Sequence, residues 1–256
     1  MGINLFRRAR IASEAFIDIA NWREVLPRAS AGEIVTEIQL RDGTVIRGSP
    51  ENALWPEFSN IWYHRAYTKH CKIPKGAVVI DVGANVGTFS IFAARTGGVV
   101  YSLEPASANF SYLISNVRRA GNIVPLNLAC AAQSGPVTLD LTANPVSFSI
   151  KTTAIGGKRE TVTAITLSEL FDRYKINGCD FLKLDCEGCE FDIILESEAV
   201  LFERISRIVM EYHDHLSKDF SHHDLLQRLK SLGFRTVSYG RNGSCGMIAA
   251  IRREDF

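Results

Sequence analysis

The chain has 256 residues, 46% hydrophobic and 22% charged, with a formal net charge of +1 at pH 7. That length builds one large domain with an appendage, and the composition is that of a globular protein rather than a disordered or fibrous one. The near-neutral total leaves no electrostatic footprint for nucleic acid, so no such partner is expected, and no apolar run is long enough to span a bilayer.

Phe6-Arg7-Arg8-Ala9-Arg10-Ile11 is basic and then amphipathic, with Ile11, Ala15, Phe16, Ile19 and Ala20 at helical spacing. The segment lacks the continuous apolar core of an export signal. A helix packed on the domain is favoured over one docked on a membrane surface. Six cysteines (71, 130, 179, 186, 189 and 245) without an export signal point to free thiols and a cytoplasmic setting. Cys186 and Cys189 have redox or zinc spacing, but no second close pair completes a four-ligand set. They are read as small apolar fillers.

After the first helix, Ile34–Leu40 alternates, Arg41-Asp42-Gly43-Thr44 supplies a turn, and Val45-Ile46-Arg47 returns as a hairpin. Trp55, Phe58, Ile61, Trp62 and Tyr63 then mark a helix running to Tyr67, read as core packing or as a lid over a ligand site. Residues 1–72 are accordingly assigned to an extension and 73–256 to the main domain. From Ile73 onward strand and helix alternate: strand 77–81, helix 87–95, strand 99–103, helix 106–119 and strand 123–128. An added β-excursion over 137–141 leads through a polar loop, 142–160, to a strand at 161–165. The helix at 167–174 opens on Thr166 with Glu169 three residues on, a capping signature. Then come strand 181–185, helix 191–195, strand 207–212, helix 219–232 closed by Gly233, and strands 234–239 and 247–251. The last two strands are joined by too few residues for a crossover helix and must be antiparallel. The predicted fold is α/β: a doubly wound, mostly parallel, seven-stranded Rossmann-like sheet with an antiparallel closing pair, plus the N-terminal helix and hairpin.

Asp81-Val82-Gly83-Ala84-Asn85-Val86-Gly87 follows the apolar run 77–80 and precedes a helix. Strand, glycine turn and helix let backbone approach a nucleotide-like ligand closely, since glycine has no Cβ and tolerates positive φ. The next strand ends on Glu104, where such folds bind a ribose diol. Two acids around a glycine turn describe a nucleoside pocket. Asp81 beside the turn is unfavourable for a pyrophosphate, which argues against a dinucleotide dehydrogenase.

Four segments resemble class I S-adenosylmethionine (SAM) methyltransferases, and more narrowly the FkbM family: Val79–Gly87; Leu103-Glu104-Pro105 with Asn109 and Asn116; Leu126–Ala129; and Leu182–Glu190. The last is the most specific, and Ile208–His213 is similar to the family's fifth-strand ending. The likeness spans roughly residues 75–215. It implies SAM as cofactor and methylation of a hydroxyl on a small-molecule, glycan or lipid-linked acceptor, commonly a sugar, glycolipid or polyketide-type product. An inactive SAM-binding partner protein, or a methyltransferase acting on RNA or protein, are the alternatives.

On this resemblance Asp81 accepts the cofactor's ammonium. Gly83, Ala84, Asn85 and Gly87 pass close to its methionyl and ribose parts, and Glu104 takes the ribose hydroxyls. Asn109 belongs to the same cofactor set, Asn127, Ala129 and Cys130 line the adenine side, and Asp185 stands nearest the transferred methyl. Methyl transfer to oxygen needs alignment and removal of a proton. Asp185 or Glu187 is the expected general base, with His213 as an alternative. Glu190 is equally readable as an acid at a helix N-terminus, whereas for Glu187 the functional reading is preferred. Lys183 is expected to orient Asp185 by charge pairing. Glu211, His213 and His215 share a face if the fifth strand continues through them. A divalent metal held by Asp185, Glu187, Glu211 and His213 would serve the same proton removal, but no metal is assigned. His222 and His223 are expected to face solvent.

Overall fold

A computed structural model of the chain describes residues 2–51, 54–141 and 159–252, with side chains from Arg10 onward. The predicted polar loop lies almost wholly outside the described residues. In chain order the elements are α1 (Gly2–Asp18), α2 (Trp22–Ser30), β1 (Glu37–Gln39), β2 (Val45–Arg47), α3 (Leu54–Trp62), β3 (Val79–Val82), α4 (Thr88–Ala94), β4 (Val100–Leu103), α5 (Ser107–Val117) and β5 (Ile123–Leu126). There follow β6 (Ala129–Cys130), β7 (Gly135–Asp140), β8 (Arg159–Ile165), α6 (Leu167–Arg173), β9 (Phe181–Leu184), α7 (Cys189–Glu196), α8 (Ala199–Phe202), β10 (Arg207–His213), α9 (His222–Ser231), β11 (Phe234–Asn242) and β12 (Cys245–Arg252).

The main sheet has seven strands in the order β11-β12-β10-β9-β3-β4-β5. β3, β4, β5, β9 and β10 are parallel, and β12 runs antiparallel between β10 and β11. The fold expected from the alternating pattern is therefore the one found. β3 and β9 are buried at every position because helices cover both faces, which is why they read as continuous apolar runs. The chain winds outward from β3 to β5 and then returns to place β9 on the other side of β3. This reversal opens a crevice at the carboxyl ends of β3 and β9, where open α/β sheets bind ligands.

The extension shares its core with one face of the sheet. Ala15, Ile19, Ile38, Phe58 and Trp62 pack in the same apolar cluster as Val79, Phe89 and Phe181. The amphipathic first helix thus buries Ala15, while Phe16 remains 52% exposed. Asn116 ties hairpin to sheet, accepting from the Arg47 N–H at 2.9 Å and donating to the Arg47 and Val86 carbonyls at 2.8 Å each. Thr166 caps α6 by accepting from the Glu169 N–H, as its spacing indicates.

Two local expectations are corrected, and one helix is added. α2 lies in a segment to which the sequence reading assigns no element; it forms with Pro27 inside it and buries Val25. α3 stops at Trp62 rather than Tyr67, because the chain turns through Arg65 at φ 56. β10 ends at His213, so His215 sits in the following 3-10 turn, exposed, and not on a shared strand face. Among the described residues no helix is long and apolar enough to cross a membrane.

Candidate active site

A cavity of about 530 Å³ occupies the crevice, within the usual range for small-molecule sites. Its floor is the turn after β3. A Cβ on Gly83 would lie 1.9 Å from the Asp185 carbonyl oxygen, so only glycine lets the β3 and β9 exits lie this close. Asn85 (φ 50) and Glu187 (φ 51) both hold left-handed backbone on the two loops that flank the cavity. Such strain in non-glycine residues concentrates at functional sites.

Glu104 is 5% exposed and accepts from the N–H groups of Asn85 and Ala106 at 2.9 Å each. Burial pushes its carboxyl up to about 7 despite these two donors. Asn85 in turn donates to Glu57 on α3 at 2.9 Å, and its Oδ1 is buried without a hydrogen bond. Glu57 is also raised to about 7 by burial. Leu128, Ala129, Cys130 and Leu139 make an apolar wall below Glu104, and Asn109 joins it there. The Cys130 thiol is pushed up by burial, and that of Cys186 by its hydrogen bond to Cys189 and by burial, so neither is poised as a thiolate.

Of the residues singled out from sequence, Gly83, Ala84, Asn85, Glu104, Asn109, Ala129, Cys130, Lys183, Asp185 and Glu187 line this cavity. Asp81 does not. It is fully buried, with Oδ2 accepting from Ser90 at 2.6 Å and Oδ1 3.1 Å from Lys183 Nζ. The cause is register: Asp81 lies directly beside Lys183 on parallel neighbours, with Ser102 on its other side. Lys183 therefore pairs with Asp81 more closely than with Asp185, whose Oδ2 is 3.8 Å away, and donates to the Gly83 carbonyl at 2.7 Å. Burial lowers the Lys183 pKa, but the Asp81 and Asp185 carboxylates more than offset this and hold the ammonium charged.

Gly87 caps α4 at φ 92, where a Cβ would meet Leu113 at 2.7 Å, so its constraint is packing. Asn127 is exposed and braces the exit of β4 by donating to the Glu104 and Pro105 carbonyls. Neither lines the cavity.

At the acidic edge, Asp185 Oδ2 accepts from the Tyr67 hydroxyl at 2.6 Å, and Oδ1 has no hydrogen bond among the described residues. Glu190 is fully buried and spent on structure, accepting from the Gly188 N–H at 2.8 Å, the His213 N–H at 3.0 Å and His213 Nδ1 at 2.8 Å. His213 Nε2 is 3.5 Å from Glu187. Burial opposes the charged ring, yet Glu190, Glu187 and Asp185 lift His213 to about 10. It is thus an imidazolium at neutral pH and not the base its ordinary pKa suggests. Glu211 is raised to about 7 by burial and by Asp185. His222 is also corrected: it is 7% exposed and its Nδ1 lies 2.7 Å from Asp214, while His223 faces solvent.

Glu57 and Tyr67 are the site residues that sequence reasoning missed. A lone carboxylate inside the aromatic run Trp55–Tyr63 was the available signal for Glu57.

The methyltransferase FkbM domain model matches residues 81–236. The chain belongs to the FkbM methyltransferase family. The 31-O-demethyl-FK506 methyltransferase FkbM of Streptomyces tacrolimicus is 25% identical over 240 residues, covering 80% of this chain and 91% of that one. Methyltransferase sdnD of Sordaria araneosa is 24% identical over 188 residues, covering 58% and 73%. Among solved structures, the fibrillarin/Nop5p complex matches at a TM-score of 0.50 and 16% identity, covering 82% of this chain and 95% of that one. That likeness is one of fold.

This FkbM-family chain is a SAM-dependent methyltransferase. The cavity suits the cofactor: Glu104 offers two buried carboxylate oxygens, Asn85 Oδ1 is an unused acceptor, and the apolar wall suits a purine. Glu57, Glu104, Asp185, Glu187 and Glu211 around one cavity favour a cationic ligand.

Proposed function

We propose that this enzyme methylates a hydroxyl oxygen on a small sugar, glycolipid or natural-product-like acceptor. The observation that carries the reading is Asp185 at the cavity edge, with one oxygen held by Tyr67 and the other free to receive a proton. A hydroxyl, unlike an amine, must lose its proton as it is alkylated, and a fixed carboxylate serves that need. A relative named as a 31-O-demethyl-FK506 methyltransferase supports an oxygen acceptor.

When bound, SAM supplies an electrophilic methyl group on a sulfonium. Glu104 would accept the ribose hydroxyls and Ala129 and Cys130 would flank the adenine. Glu57 would receive the ammonium in place of the sequestered Asp81. Asp185, backed by Glu187, takes the acceptor's proton, and Lys183 and Tyr67 position it. α3 and Tyr67, from the extension, wall the acceptor side and exclude water.

The test is incubation with SAM carrying a ¹³C-labelled methyl and a panel of hydroxylated glycans, lipid-linked sugars and polyketide alcohols. The label is expected in a methoxy carbon, with turnover lost in Asp185→Asn while SAM binding is kept. Label found only on nitrogen or carbon would overturn the oxygen reading.

A further inference from the structure

We propose that the carboxylates of Asp185 and Glu211 and Nε2 of His213 form a binding site for a divalent cation of the Mn²⁺ class. Asp185 follows β9 and Glu211 lies on β10, immediately beyond the register pair Leu184 and Met210, and His213 is two residues further on the same face. One ligand atom from each of the three lies within 4.8 Å of the other two.

The surroundings of each donor argue for an ion rather than mere crowding. Glu190, fully buried, holds Nδ1 of His213 at 2.8 Å and the same residue's N–H at 3.0 Å. This fixes the ring so that Nε2, 3.5 Å from Glu187, is the nitrogen turned to the acidic cluster, the carboxylate–histidine arrangement that orients metal-bound imidazoles. Tyr67 anchors Asp185 through Oδ2 alone, leaving Oδ1. The Glu211 carboxylate is half-buried and makes no hydrogen bond among the described residues; its attractive partners are the charges of His213 and Lys183. Asp185, Glu187 and Glu211 thus crowd one edge, while the nearby Lys183 ammonium lies closest to Asp81.

Two carboxylate oxygens and one imidazole nitrogen match a cation that accepts mixed oxygen and nitrogen donors and keeps open positions for water or an acceptor oxygen. On binding, the Nε2 proton of the imidazolium leaves to solvent and the ion takes its place. With Asp185 Oδ1 on the ion, the ion would acidify a coordinated hydroxyl and its proton would pass to Glu187 rather than to Asp185, a consequence that rests on the oxygen-acceptor reading.

The experiment is titration of chelator-dialysed full-length protein with Mn²⁺, following loss of the free-ion electron paramagnetic resonance signal. One ion per chain is expected, weakened at least about tenfold in Glu211→Gln and in His213→Gln and unchanged in His223→Ala. Calorimetry with S-adenosylhomocysteine checks that each variant keeps its cofactor cavity. For the wild type alone, pulsed resonance of the bound Mn²⁺ is expected to show coupling to an imidazole nitrogen. Absence of stoichiometric binding, absence of that coupling, or unchanged affinity in both cavity-competent variants would overturn the site. Absence of stoichiometric Mn²⁺ binding together with methyl found on oxygen would sink the metal site and leave the oxygen reading standing. Mn²⁺ held by the triad with no methyl ever found on oxygen would do the reverse.

Discussion

Replacing Glu104 with glutamine keeps the shape of the side chain and removes its charge. In the native protein both carboxylate oxygens accept backbone N–H groups, from Asn85 and Ala106, at 2.9 Å. Glutamine has one acceptor oxygen, so its amide nitrogen meets one of those donors and leaves it unsatisfied, at a cost of about 1–3 kcal/mol. The variant should still fold, since domain stability is typically about 5–15 kcal/mol. The larger effect falls on the cofactor. One charge-assisted bond to the ribose is lost and the other becomes neutral, together about 3 kcal/mol, or on the order of 100-fold in Kd at pH 8. The ratio should shrink with acid. Burial raises Glu104 to about 7, so the native enzyme must ionise it to bind. Its affinity therefore falls as pH drops below 7, by about 2 kcal/mol at pH 5.5. The variant has no such proton to lose, and the gap should close to about fivefold. Calorimetry of SAM with both proteins at the two pH values reads this directly. A ratio that stays constant with pH, or a loss below about fivefold at pH 8, would refute the assignment of Glu104 as the ribose acceptor.

Lys183→Met strands the fully buried Asp81, and a loss of about 3–5 kcal/mol is expected in urea unfolding, largely recovered by adding Asp81→Asn; no recovery in the double variant would show that Asp81 is not the partner that matters. Gly83→Ala drives a Cβ to 1.9 Å from the Asp185 carbonyl at φ 75, and should abolish SAM binding even if the sheet survives in circular dichroism. Glu57→Gln should weaken SAM about tenfold but leave an analogue lacking the α-amino group unaffected; equal losses for both ligands would remove Glu57 from the ammonium site. His213 has its pKa raised from 6.5 to about 10, so the stability it contributes is full below pH 6.5 and is lost as pH rises towards 10. Thermal melts should show that decline in the native protein and a flatter one in His213→Gln.

The seven strands of the main sheet, most helices of the main domain, the glycine turn at Gly83 and the acid at Glu104 were legible in the residues themselves, whereas the short β6 and α8 were not. Each rests on local physics: apolar runs of strand length, a glycine where backbone must pass, an acid at the next strand's end. α2 and the true end of α3 were not legible, because α2 contains Pro27 and buries only Val25, leaving little apolar periodicity, and the chain turns through the left-handed Arg65 just past a helix whose composition could have continued. The site divides in the same way. Asp185 and Glu187 belong to a contiguous motif, and both line the cavity. Asp81 was misplaced because its partner arrives across the β3–β9 register, 102 residues later in the chain. Tyr67 reaches Asp185 across 118 residues, and Glu190 takes His213 across 23. Sequence by itself determined the strands of the main sheet and the glycine loop that lines the cavity, since both follow from neighbours along the chain. Which carboxylates face the cavity, which are spent on buried cations and N–H groups, and which state of His213 results were decided only by the tertiary structure, because burial and charge pairing depend on what lies across the fold.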